Sequence, residues 1–538
     1  MKRCVPLLVF AVLVAFGPVT APVARAARFD LATASIADIN AAIAAGALTS
    51  ERLLQLYLAR VAAYEKQGPT INAIIALNPD ALTEARALDA ERRATGPRSP
   101  LHGIPVVLKD NIPSLGLPCT GGSLFLSGNL PTSDATVVRR LREAGAIVLA
   151  KVNLGDFASD ATGRSSIGGQ TLNPHNLRYT PAGSSGGTGA AVGAWFAPLG
   201  LGTDTGGSLR SPTSVNGLAG LKPTNGLLSR GGIIPTCLCF DAVGPMARTI
   251  YDVAVSLGAM TGLDERDPLT AGGAGLYHRD YTPFLRKDAL RGARLGVLRD
   301  VQGLDPEIDA LFAAALEDLK KQGAILIDPV AYPAHVLGAR TGIVKVICDT
   351  EVPEEFDRYF ASLAPGFPHS FAELVQRADT HLATRTDKSA PFPRVYEHYK
   401  TRVAGGPSRA SLTYRSARDE GIAMMRAAVL GLYERHRLDA MVYCTRANRP
   451  DLVGVDAHRL PPGGPTTSVR DVANITQFPD LIVPAGTTAD GLPVSISFVG
   501  PAYSEPRLLA YGYAYEQATG RLPIASATPP LPGERFDY

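Results

Sequence analysis

A chain of 538 residues exceeds most single hydrophobic cores, so it holds either two domains or one large α/β sheet domain. Its formal charge of +3 belongs to the first segment, because Lys2, Arg3 and Arg25 leave the remainder near neutrality. That balance gives no electrostatic support to binding of nucleic acid or of anionic membrane.

The start reads as a secretory leader. Met1-Lys2-Arg3 precedes an apolar run from Val5 to Phe16, and Ala24-Arg25-Ala26 offers small residues at a cleavage site. The run is too short for a stable membrane span, and no later stretch is long and apolar enough. Residues 1–26 are therefore expected to be a signal peptide, and the protein to be exported, periplasmic or secreted, without a membrane anchor. Once Cys4 leaves with the leader, five cysteines remain, namely Cys119, Cys237, Cys239, Cys348 and Cys444. An odd number at this size argues against a disulfide framework. Cys237-Leu-Cys239 lacks the two-residue gap of redox or zinc pairs, so both read as packing residues. The nine histidines contain no HExxH and no i,i+4 pair beside a carboxylate, so no metal site is expected.

Residues 34–66 look helical, with Leu53, Leu54, Tyr57, Leu58, Val61 and Tyr64 at helical spacing behind Thr49-Ser50. Gly103–Leu108 is a strand-like apolar run that ends at Lys109. Residues 134–144 read as a helix stopped by Gly145, with a strand at Ala146–Ala150. The β-then-α alternation returns at Arg294–Leu298, the helix 306–321 and Ala324–Ile327, and predicts a large α/β fold with a mostly buried sheet. Residues from about 350 to 440 turn helical and charged and are expected to form a cap. Strands return at Leu481–Pro484 and Leu492–Val499, followed by a helix at Ser504–Thr519. Residues 27–525 are taken as one domain and 526–538 as an extended tail.

Between Asn173 and Gly232 the composition shifts to Gly, Ser and Thr, with only Ala190–Pro198 dense enough in helix formers for a short helix. So long a polar glycine-rich stretch inside a folded chain marks a site rather than a linker. Ala182-Gly-Ser-Ser-Gly-Gly-Thr188 and Gly202-Thr-Asp-Thr-Gly-Gly-Ser-Leu-Arg210 are its two motifs. Consecutive N–H groups along Thr205-Gly206-Gly207-Ser208 could converge on one point as an anion nest, where a hydrolase stabilises an oxyanion. A phosphate loop would need GxxxxGK[ST], which is absent. Gly183–Gly187 formally fits the nucleophile elbow G-x-S-x-G, yet the polar, proline-broken Asn173–Pro181 supplies no strand before it. A glycine loop without chemistry is the remaining reading, weakened by the placement of Ser208 and Arg210.

Gly183–Pro212, together with Leu101-His-Gly-Ile-Pro-Val-Val-Leu-Lys-Asp-Asn111, resembles the amidase-signature family. The likeness extends through Lys151–Leu154, Gly220–Thr224, Gly244–Arg248, Phe478–Gly486 and Asp490–Val494. It implies an α/β fold with a large mixed β-sheet core flanked by helices on both faces. It also implies Lys109 as base, Ser184 as bridging serine after a cis peptide bond, and Ser208 as nucleophile. Thr205, Gly206 and Gly207 match the family's oxyanion-hole backbone, and Asp204 and Arg210 a charged pair that braces the loop. Features such as Ala76–Leu82 and Tyr503–Leu509 are similar to bacterial peptide amidases, but Gly186 stands where those carry a third serine, so the acyl and amine groups stay open.

A serine hydroxyl attacks only after a base takes its proton, and a lysine can do so only when burial or local positive potential keeps it neutral. Ser184 can accept from Ser208 and donate toward Lys109. The expected reaction is cleavage of a carboxylic amide C–N bond through a Ser208 acyl-enzyme, on a small-molecule amide or peptide amide, with no cofactor. The alternatives are an ester or carbamate hydrolase, the glutaminase subunit of a tRNA-dependent amidotransferase, or a non-catalytic binding protein. His102 is expected to order the turn before its strand and Trp195 to pack on the helix of the Gly/Ser motif. Oligomeric state is left at monomer or homodimer.

Overall fold

Val106, Val107 and Leu108 have no polar face to turn toward water, and such a strand is stable only between two covering layers. In the computed structural model, which describes residue 1 and residues 27–386, 394–455 and 469–538, that strand lies third from one edge of an eleven-stranded mixed sheet. The expected leader lies outside the described residues. Numbered along the chain, the strands are β1 (Ile74–Leu77), β2 (Pro105–Lys109), β3 (Ile147–Val152), β4 (Leu199–Asp204), β5 (Ala219–Lys222) and β6 (Ala242–Ala247). They continue with β7 (Arg294–Leu298), β8 (Ile325–Val330), β9 (Ala440–Cys444), β10 (Asp480–Thr487) and β11 (Pro493–Val499). Their order across the sheet is β8-β7-β9-β11-β10-β5-β6-β4-β2-β3-β1. β2 is parallel to both neighbours, β4 and β3, whereas β6 is antiparallel to β4 and β5.

The helices begin where their caps direct. Ser35 and Asp38 form a capping box before Ile36–Ala44, and Thr49 accepts from the Arg52 amide at the start of Ser50–Tyr64. The stretch expected to be helical from 34 to 66 is thus two helices, parted at Gly46, whose φ is +74°. Gly186–Gly193 and Arg210–Val215 touch each other against the sheet, as Ile250–Met260 and Glu505–Thr519 also do, and Pro306–Lys321 covers β10 and β11.

The short helix expected at Ala190–Pro198 starts earlier, at Gly186, and stops at Gly193. Its glycines let it lie on the backbone of β3: a Cβ on Gly187 would fall 2.3 Å from the Asn153 amide nitrogen. β4, β5 and β6 escape sequence pattern reading for the same reason. A Cβ on Gly200 would meet the Thr188 methyl at 2.6 Å, and one on Gly244 would meet Leu221 O at 2.0 Å. Residues with poor strand propensity stand here because the layers approach too closely for anything larger.

The cap begins at Ala334, ahead of the expected 350, because Ala334–Phe360 is a single helix with Pro353 inside it. Phe371–Thr384 and Val395–Val403 follow, and Leu412–Arg415, Ser416–Gly421 and Ile422–His436 run on as a fourth length of helix. Phe157 of the core docks among Phe356, Phe360, Tyr396 and Tyr399 of the cap. Cap residues 387–393 lie outside the described residues. The tail is bound to the body: Arg535–Asp537 pairs antiparallel with Arg28–Asp30, and buried Glu534 holds buried Arg60 at 2.9 Å. The five cysteines described are free and buried.

Candidate active site

Lys109 is the last residue of β2 and has no exposed surface. Ser184 stands two residues before the helix Gly186–Gly193, behind a cis Gly183–Ser184 peptide bond, and Ser208 lies in the loop from β4 to Arg210–Val215. Gly183 is required by crowding, since a Cβ there would sit 2.6 Å from Asp160 O.

Lys109 Nζ donates to Ser184 Oγ at 2.8 Å and to Thr203 Oγ1 at 2.7 Å, with Thr203 O further off at 3.4 Å. Asn111 Nδ2 donates to the same Thr203 hydroxyl at 3.1 Å. The Ser185 amide donates to Ser208 O at 3.0 Å, which ties the Ser184 and Ser208 loops together. Lys109 and Ser184 are thus in direct contact, whereas Ser208 Oγ makes no hydrogen bond among the described residues. Burial pushes Lys109 down to about 7, against the opposing pull of Asp204 and Asp241. A large share of this side chain is therefore an uncharged amine near neutrality.

Asp204 and Arg210 pair at 3.1 Å with both side chains fully buried. Arg210 also holds Asp480 at 2.7 Å, and Asn474 Nδ2 donates to Asp204 Oδ1 at 2.9 Å. Burial works against the Asp204 charge, but Arg210 and Asn474 hold its carboxyl well below the usual range. That carboxylate folds the loop around itself by accepting the amides of Gly207 at 2.8 Å, Leu209 at 3.1 Å and Arg210 at 3.2 Å. One expectation changes here. The Gly207 amide is spent on Asp204, while among the described residues the amides of Thr205, Gly206 and Ser208 donate to no protein acceptor. Gly207 serves through its φ of +116°, which turns the chain and leaves its flanking amides unspent. Thr205 is fixed by its hydroxyl, which donates to Asp241 at 2.5 Å.

Comparisons with known proteins give the family. A sequence profile of the amidase family matches residues 52–509. The chain belongs to the amidase family. It is similar to the peptide amidase of Stenotrophomonas maltophilia, with 37% identity and a TM-score of 0.82 over 92% of this chain and 99% of that one. An amidase family protein of Bacillus anthracis has 30% identity and a TM-score of 0.80, covering 92% and 93% of the two chains. Among sequences, a glutamyl-tRNA(Gln) amidotransferase subunit of Roseiflexus castenholzii is 34% identical over 90% of this chain and 96% of its own. The protein is an amide-hydrolysing enzyme, and its mixed sheet with surrounding helices is the family's fold.

In this amidase, one space reaches the partners of Lys109 and a second lies beside the residues that pack on Gly183. A small cavity reaches Asn111, Thr203 and Asp241 and is walled by Ile233, Ile234 and Leu238. A wider cleft is lined by Asp160, Ala161 and Thr180, on the Gly183 side, and by Arg394, His398 and Leu452. Sequence reasoning missed Thr203, Asn474 and Asp480. Thr203 and Asp480 stand inside motifs that carried the family likeness, but nothing local says that the first touches Lys109 or that the second completes the Arg210 pair. Among the described residues no group of three or more His, Cys, Asp or Glu side chains could hold a metal ion. Trp195 lies between the Arg60 and Arg248 guanidiniums, 4.6 and 5.1 Å from its ring, and serves packing. His102 accepts from the Arg98 amide at 3.2 Å and lies 2.9 Å from Leu88 O, ordering the turn before β2.

Proposed function

We propose that Ser208 is the nucleophile, Ser184 the proton bridge and Lys109 the base of an acyl-transfer mechanism. The observation that carries it is the 2.8 Å contact between Ser184 and a buried lysine lowered to about 7. In the neutral amine, two N–H bonds point to Thr203 Oγ1 and O, and the lone pair faces Ser184. Ser184 then donates to Lys109 and accepts from Ser208 as the Ser208 hydroxyl turns toward it; such contacts commonly tighten only once substrate binds. Ser208 Oγ attacks the amide carbonyl, and the amides of Thr205, Gly206 and Ser208 receive the oxyanion. Ser184 returns the proton to the leaving nitrogen as the C–N bond breaks, and water releases the acid from the acyl-enzyme by the same relay.

The substrate under this reading is a small-molecule or peptide amide, as the name of the Stenotrophomonas relative suggests. A second reading, a glutaminase component working with partner proteins, is favoured by relatives that carry the amidotransferase name. Export, inferred from residues 1–26, supports the stand-alone hydrolase, and sequencing the N-terminus of protein recovered outside the cytoplasm tests it. Ammonia or amine release by the purified chain alone separates the two readings. Ser208→Ala is expected to abolish that release and to remove labelling by a fluorophosphonate probe. Wild-type turnover in this variant would mean that another residue attacks.

A further inference from the structure

Two half-buried arginines beside the nucleophile loop form no ion pair with any described residue. Arg470 lies against Gly207, where an added Cβ would sit 3.2 Å from Arg470 Nε. Its Nη1 donates to Thr445 O at 3.1 Å, while its buried Nε finds no acceptor among the described residues. Arg446, the residue after Thr445, donates to the hydroxyl of Ser211, three residues beyond Ser208. Its other bonds are long, to Asn448 O at 3.3 Å, Asn448 Oδ1 at 3.4 Å and Arg449 O at 3.3 Å.

The surrounding arginines are handled differently. Arg210 holds Asp204 and Asp480, Arg340 holds Asp471, and Arg449 holds Asp305, Glu307 and Asp490. Among the described residues neither Arg446 nor Arg470 forms an ion pair. Burial, and then repulsion from Arg470, pushes Arg446 down to about 9 against the pull of Asp451, and Arg470 feels Asp204 and Asp471 without touching either. A guanidinium withdrawn from water with no carboxylate in direct contact is costly, and its planar fork matches a carboxylate. The chain beyond Arg446 also borders the site: the Thr180 amide donates to Asp451 O at 2.8 Å, four residues before Ser184.

We propose that Arg446 and Arg470 form an anion subsite that recognises a carboxylate carried by the amide substrate. This rests on the reading of Ser208 as nucleophile and narrows its substrates to amides bearing a second, ionised carboxyl group. The carboxylate could sit on the acyl or the amine part, and two substrate pairs separate these sources. Succinamate against butyramide tests the acyl side, and N-acetylglycine against N-propylacetamide tests the amine side. In the wild-type enzyme one pair is expected to favour its charged member in kcat/KM by roughly a hundredfold. Arg446→Gln and Arg470→Gln should each lower that ratio by about tenfold or more, and Arg470→Lys, which keeps the charge but loses the fork, should lower it less than Arg470→Gln. Calorimetry on Ser208→Ala should show the same preference in binding, without turnover. Ratios near one for both pairs, or equal losses on charged and neutral members in the Gln variants, overturn the subsite. Turnover surviving in Ser208→Ala would instead overturn the nucleophile assignment, so the two failures are distinct.

Discussion

Thr203→Val removes the best acceptor of the Lys109 amine while keeping the shape of the side chain. Thr203 Oγ1 accepts from Lys109 at 2.7 Å and from Asn111 at 3.1 Å, and the remaining acceptor, Thr203 O, lies 3.4 Å from Lys109 Nζ. Two buried donors lose a partner, at about 1–3 kcal/mol for each left unmade. The amine can then swing its lone pair away from Ser184, because nothing else fixes its third direction. If about 2 kcal/mol of this falls on the transition state, kcat drops about thirtyfold. The pH profile supplies an independent sign. Thr203 oxygens favour the ammonium form, so losing one lowers Lys109 further below its ordinary value and moves the acid limb of kcat to lower pH. Steady-state kinetics across pH, on protein whose circular dichroism matches wild type, measures both effects. Thr203→Ser, which keeps the acceptor, should stay near wild type. An unchanged kcat in Thr203→Val, or a limb displaced to higher pH, refutes the role of Thr203 and weakens that of Lys109.

In the wild-type enzyme, burial sets Lys109 at about 7 and only its neutral form is a base, so kcat/KM should rise through neutrality and level off above it. Below that point the rate should fall about tenfold per pH unit, and a rate that rises toward acid would contradict a lysine base. Gly187→Ala drives a methyl to 2.3 Å from the Asn153 backbone, so thermal unfolding should register a loss of about 3 kcal/mol. An unchanged midpoint there would mean that the helix Gly186–Gly193 can shift without cost. Dialysis against a chelator should leave turnover unchanged, and an inhibition reversed by added metal would sink the metal-free mechanism.

Some of this protein could be read directly from its residues. The apolar run into Lys109, the helix start at Thr49-Ser50, and the helix–strand succession from Arg294 to Ile327 follow short-range rules, and the structure has those elements. The two Ser/Gly motifs likewise carried the family, because a glycine-rich segment with serines at fixed positions encodes backbone geometry locally.

Other features depended on residues far apart in the chain. β4, β5 and β6 are glycine-bearing strands that only close layer packing sustains. The Gly207 amide was expected to face the oxyanion, yet it turns inward because Asp204 is held by Arg210 and Asn474, and Arg210 in turn by Asp480, the last two acting from about 270 residues downstream. Thr203 acquires its place beside Lys109 only when β4 pairs with β2. Sequence periodicity reports which face of an element is apolar. It does not report which buried polar groups will meet, since a charge taken out of water accepts whichever distant partner the folded backbone brings within hydrogen-bond reach. The lysine and serines were therefore determined by the chain itself, and the network that tunes them by tertiary structure alone.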